Sequence, residues 1–154
     1  MHYTPGQLRD ATGLTPETFR HWKKALPPLR ALRGHGPCFT SGDLVAVAIV
    51  RTLTDELGLR VSAISSVAAE LFRTCNAAPW AGLERAKIVL RANGNRLLLM
   101  PELDAQPLGD AHIVVPLRPI IAALRDHLAP MPVSGEQPML RFPPHDVSAS
   151  ASRL

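Results

Sequence analysis

The sequence predicts a mainly α-helical fold with a small β component, and three observations carry that prediction. Apolar residues return at helical spacing through Phe19, Trp22 and Leu26, through Leu44 to Leu57, through Val61 to Phe72 and through Leu117 to Leu128. Thr4, Thr15 and Thr40 each stand just ahead of a helical segment, where a hydroxyl can accept from a free backbone N–H. One strong hairpin signal, Asn93-Gly94, lies between two short apolar runs. With 154 residues, 46% of them hydrophobic and 19% charged, the chain has room for one ordinary domain or two small ones. Aromatic residues are only 5%, so the core must be built from Leu, Val, Ile and Ala.

The first helix is expected from Pro5 to about Thr12. Thr4 is its N-cap, Pro5 suits the first position because no N–H is needed there, and Gln7 completes a capping box. Gly13 supplies a positive-φ stop, and Leu14 leads directly into a second cap at Thr15. The second helix reads T-P-E-T-F-R-H-W-K-K-A-L, with Pro16 at its first position and Glu17 against the positive helix end. Its Phe19, Trp22 and Leu26 face a core, which leaves Arg20, His21, Lys23 and Lys24 pointing outward. Pro27 and Pro28 end it, since neither can donate to a helical ladder. Two short helices joined by a tight Gly-containing turn form a helix-turn-helix, an arrangement whose second helix enters the major groove of DNA.

From Leu29 to Thr40 two short extended pieces are expected around Gly34-His35-Gly36, with Arg30 and Arg33 at the entrance, making a wing beside the two helices. Thr40 opens a third helix, with Asp43 three residues on to serve its free N–H groups, and Gly58 closes it. Leu44, Val45, Val47, Ala48, Ile49, Val50, Leu53 and Leu57 make this helix apolar around much of its girth, so it should be the most buried. A fourth helix follows through Val61, Ile64, Val67, Ala68, Leu71 and Phe72, with Ser62 near its cap.

Beyond it, Asn76 to Gly82 reads as a connector containing Pro79 and Trp80. Ala86 to Arg91 and Arg96 to Met100 read as strands around the Asn93-Gly94 turn, because a type I′ turn needs positive φ at both central residues. His112 to Val115 can add a third strand, and a helix starts at Pro116 or Pro119 through Leu117, Ile120, Ile121, Leu124 and Leu128. Three strands and one helix bury little alone, so this module is expected either to self-associate or to pack on the first domain. The division is 1–75 for the first domain, 76–85 for the connector and 86–129 for the module, with 130–154 a flexible Pro- and Ser-rich tail.

The net charge of +4 is the excess of the first 40 residues, where Arg9, Arg20, Lys23, Lys24, Arg30 and Arg33 face only Asp10 and Glu17. A basic excess confined to one segment is what a phosphate-binding surface needs. Cys38 and Cys75 have no close-spaced partner and read as free thiols in a reducing cytoplasm, and no signal or membrane span is evident. Enzyme signatures are missing: no H-E-x-x-H, no P-loop, no G-x-S-x-G, and no further ligands at zinc spacing around His35 and Cys38. The expectation is no enzyme, no metal and no cofactor.

Tyr3 to Phe72 resembles the winged helix-turn-helix domain of the MerR-type transcription regulators. The pieces that carry the resemblance are Y-T-P-G-Q-L, T-G-L-T-P-E-T-F-R-H-W, the A-L-P-P that closes the second helix, F-T-S-G-D-L at the third and G-L-R-V-S-A-I into the fourth. The resemblance implies a dimeric reader of duplex DNA, with the second helix in the major groove and the wing on the flanking backbone. Arg20 falls on the family's arginine of the recognition helix, which holds phosphate and reaches bases, and His21 and Trp22 fall on positions that are usually aromatic. The chain departs from the pattern in three places. Pro37 and Cys38 stand before Phe39 where the family often has an arginine, which leaves wing contacts to Arg33 and His35, and Arg9 replaces a small residue. The long helix that forms the family's antiparallel coiled coil is missing, since no heptads follow Phe72.

The expectation is thus a sequence-specific double-stranded DNA-binding transcription regulator, a cytoplasmic, nucleoid-associated homodimer. Its DNA-binding residues are Thr15, Thr18, Arg20, His21, Lys23, Lys24, Arg33 and His35. Two alternatives stay open: an excisionase-like architectural protein that bends DNA, and an interaction adaptor that holds a protein partner through the C-terminal module.

Overall fold

Thr4 and Thr40 set the two ends of the N-terminal framework in the computed structural model, which describes residues 2–32, 36–91, 96–105, 109 and 111–129. Thr4 Oγ1 accepts from Gln7 N at 3.2 Å and Gln7 Oε1 accepts from Thr4 N at 2.9 Å, so the expected capping box opens α1 (Pro5–Thr12). Gly13 takes φ 64° and ends it. α2 (Pro16–Ala25) follows from its cap at Thr15.

The next segment departs from expectation. Pro27 and Pro28 do end α2, but they also open a short α3 (Pro27–Ala31), because proline is tolerated in a first helical turn, where no donor is required. Leu29 is fully buried and anchors α3, so the extended piece expected there is helical. The only strand described in this stretch is β2 (Phe39–Thr40), and its partner is β1 (His2–Tyr3), antiparallel, a pairing the sequence did not suggest. Arg33, Gly34 and His35, and with them the tip of the expected wing, lie outside the described residues.

α4 (Ser41–Asp55) starts at Thr40 with the expected capping box to Asp43 and is buried along most of its length. It stops earlier than Gly58. Glu56 is its C-cap, and the chain then turns through Gly58 at φ 66° so that Leu59 N donates to Leu53 O at 3.0 Å. α5 (Val61–Ala77) has Arg60 at its N-cap with no side-chain bond, and Ser62 sits inside the first turn rather than capping it. Asn76 and Ala77 belong to α5, and Trp80–Leu83 forms α6, so the expected connector is largely helical.

The start of α4 is locked to the end of α5. Asn76 Nδ2 donates to Asp43 Oδ1 at 2.9 Å and to Phe72 O at 2.8 Å, the Thr40 hydroxyl donates to Asn76 Oδ1, and Trp80 Nε1 donates to Ser41 O at 3.1 Å. Buried Asp43 is thereby fully partnered, as a buried charge must be. Gly42 permits the approach, since a Cβ there would lie 2.7 Å from Cys75 O.

The C-terminal strands are β3 (Ala86–Arg91), β4 (Leu97–Pro101) and β5 (His112–Pro116) in the order β4-β3-β5, both pairs antiparallel. β3 and β4 agree with the expected hairpin to within a residue, while Asn93 and Gly94 lie outside the described residues. Ala86, Ile88 and Leu90, with cross-strand partners Leu97 and Val115, turn one face of the sheet toward the helices. α7 (Leu117–Leu128) begins after Pro116 and adds Leu117, Ile121 and Leu124 to the same core. One continuous apolar core runs from Leu8 to Leu124, with α7 against α1 and α4. The architecture is mainly helical with a small antiparallel β component. Residues 130–154, expected as a tail, are outside the described set, and no described helix is long and apolar enough to cross a membrane.

Candidate nucleic-acid interface

α2 is held from beneath and at both ends. Phe19, Trp22 and Leu26 are buried in the common core, at the spacing that keeps one side of the helix inward. Phe19 meets Phe39 of β2 edge-on, so the helix is also braced against the two-stranded ribbon. At the N-terminus Thr18 N donates to Thr15 Oγ1 at 3.1 Å, and the two hydroxyls are 2.9 Å apart, one donating to the other. At the C-terminus Leu26 N closes on Trp22 O at 2.8 Å, and the Arg30 guanidinium, reaching back from α3, donates through Nη2 to Lys24 O. That carbonyl is among the last four of the helix, which have no partner within it, and a cation there also suits the negative helix end.

With its position fixed, α2 turns a cationic surface outward. Arg20, His21 and Lys24 are exposed and Lys23 is half-buried. Arg20, Lys23 and Lys24 lie at i, i+3 and i+4, one face of the helix, and Arg30 joins them to line a shallow concavity of about 590 Å³ with no acidic residue in its wall. Among the described residues none of the four has an ion pair. Four other arginines are paired with acids: Arg51 with Asp55 at 3.0 Å, Arg73 with Glu70 at 3.7 Å, Arg118 with Glu102 at 2.7 Å and Arg125 with Glu84 at 2.8 Å. Four cations without an ion pair thus meet where α2 and α3 join, which is an electrostatic footprint for a polyanion.

Of the residues predicted from sequence, Arg20, Lys23 and Lys24 are brought together. His21 is beside them on the exposed side, and Thr15 and Thr18 stand at the N-terminal end, their hydroxyls already engaged with one another. Arg33 and His35 lie outside the described residues. Arg30 is the residue sequence reasoning missed: assigned to the entrance of a wing, it belongs to α3 and faces the α2 cations. The signal that could have found it was the Pro27-Pro28 pair, read as a helix start as well as a helix stop.

The thiols are differently placed. Cys38 is half-buried, whereas Cys75 is fully buried, and burial, aided by the nearby Asp43 carboxylate, pushes its thiol up to about 12. A thiol so protonated is a packing group rather than a nucleophile near neutral pH. Among the described residues no group of His, Cys, Asp and Glu could hold a metal ion. Neither a family model nor a curated protein nor a solved structure matched the chain.

Proposed function

We propose that this chain is a sequence-specific double-stranded DNA-binding protein of the winged helix-turn-helix kind, similar to the MerR-type regulators, which acts on transcription in the cytoplasm as a homodimer. The observation that carries the reading is the meeting of Arg20, Lys23, Lys24 and Arg30 around one concavity with no acid in its wall, on a helix packed into the core. In this reading α2 enters the major groove. Arg20 and His21 reach base edges, while Lys23, Lys24 and Arg30 hold backbone phosphates and set the register of the helix. Two subunits give two half-sites, as the two-fold habit of DNA readers requires.

The test is selection of bound genomic fragments by the purified full-length chain, then a footprint on the best site. A promoter site with two half-sites supports the regulator. Clustered repeats beside a recombinase gene point instead to DNA bending for recombination. Retention of no fragment overturns the proposal.

A further inference from the structure

α4 and α7 pack side by side but leave a groove between them that the DNA-binding surface does not use. It has two lobes of about 320 Å³ and 340 Å³, and these share Thr52, Glu56, Ile120 and Ala123, so they are one continuous depression. The total is the size of a site for a small organic molecule. One end reaches the Thr12-Gly13 turn at the close of α1, and the other reaches Val115 and Pro116 of β5. Ala48, Ile120, Ala123 and Leu124 make much of the wall apolar.

The polar groups of the groove differ in what they leave free. Arg51 donates through Nε to Asp55 at 3.0 Å and through Nη1 to Thr12 O, and its charge and that of Asp55 cancel. Glu56 makes no side-chain hydrogen bond or ion pair among the described residues. His127 has Nδ1 at 2.8 Å from Ala123 O. A carbonyl oxygen can only accept, so Nδ1 carries the proton and Nε2 of the neutral ring is left as an acceptor. With Arg51 and Asp55 cancelling, the groove is left with one uncompensated carboxylate, Glu56, and an imidazole lone pair, beside the Thr52 hydroxyl.

We infer that this groove binds a small amphipathic cation, an amine or amidine with an apolar body, whose N–H groups donate to Glu56 and His127 while its body lies on Ile120 and Ala123. Charge complementarity selects the cation, since Arg51 and Asp55 cancel and Glu56 leaves the lining one net negative charge. Arg51 lies against Gly13, so close that a Cβ there would be 2.1 Å from its Nη1. Arg51 thus joins the wall of the groove to the turn that precedes α2.

The experiment uses the full chain without DNA at pH 7.5, with backbone amide NMR and calorimetry as readouts. Benzamidine and phenethylamine are the cationic probes, and benzoate and benzyl alcohol are the anionic and neutral controls. Saturable binding of the cations, with shifts centred on Glu56, Ala123 and His127, is expected. Glu56→Gln should weaken it at least about tenfold, the loss of one charge-assisted contact. Ala123→Leu, a change at an exposed position, should abolish it with the thermal midpoint retained. The inference is overturned if neither cation saturates, if benzoate binds as well as benzamidine, or if Glu56→Gln binds both cations as wild type does. A chain that takes the cations but retains no DNA would leave this site standing and remove the DNA reading alone.

Discussion

The ring of Phe19 in α2 stands edge-on to the ring of Phe39 in β2, with centroids 6.0 Å apart and planes at 72°. This pair ties the cationic helix to the ribbon that β2 makes with β1, and both rings are buried. Phe19→Leu and Phe39→Leu should each cost about 1 kcal/mol, as shape changes in a filled core do. The double variant should cost less than the sum, by about 0.5–1.5 kcal/mol, because the edge-to-face contact can be lost only once. Urea denaturation of the four proteins measures the coupling, and strict additivity would show that the rings merely share a core.

Gly13 is required twice over, by its φ of 64° and by the Arg51 guanidinium that fills the space a Cβ would take. Gly13→Ala should destabilise by more than the roughly 1 kcal/mol of the left-handed backbone alone. In an Arg51→Ala background the same change should fall back to about that value, since the steric part is gone. An equal cost in both backgrounds, read from denaturation midpoints, would mean that Arg51 simply swings aside.

On the proposed DNA-binding reading, Arg30 and Arg20 should differ in the kind of contact they make. Arg30→Ala should weaken binding evenly across sequences and make the log–log salt slope shallower by about 0.9, the loss of one phosphate. Arg20→Ala should weaken the best site by at least about 1 kcal/mol and relax its sequence preference. For a dimer neutralising about six to nine phosphates the wild-type slope should be about −5 to −8. Filter binding at several salt concentrations, on specific and scrambled duplexes, gives all of these quantities.

Cys75 predicts a stability profile in alkaline solution. Its thiol has an ordinary value of 9.0 and is raised to about 12 in the fold, first by burial and then by Asp43. The folded state therefore holds the proton more tightly than the unfolded chain. The stabilisation is complete below pH 9 and is lost as pH climbs from 9 toward 12. The urea midpoint should fall over pH 9–10.5 in the wild type and fall less in Cys75→Ala. Identical slopes would mean that other groups dominate the alkaline response.

How far the candidate site was legible can be argued from α2 itself. Phe19, Trp22 and Leu26 face the core and Arg20, His21 and Lys24 the outside as their spacing predicts, with Lys23 half-buried, because a helix of known start distributes its side chains by a fixed 100° step. Arg30 was assigned to the wrong element. Its place depends on α3, a helix of five residues whose stability comes from burying Leu29 rather than from any periodic pattern.

The helix starts at Thr4, Thr15 and Thr40 and the reversal at Gly13 are legible along the chain, since each depends on groups within a few residues of one another. Such contacts form whatever the rest of the chain does. Long-range packing settles the rest: β2 pairs with β1, β3 is the central strand, Arg51 reaches Thr12 across 39 positions and α7 closes on α1 and α4. Those relations follow from how apolar faces such as Ile121 and Leu124 find one another in space, and spacing along a chain does not encode which of several apolar faces will meet. The cationic surface owes something to both: its charges were written along α2, and its fourth member came with the fold.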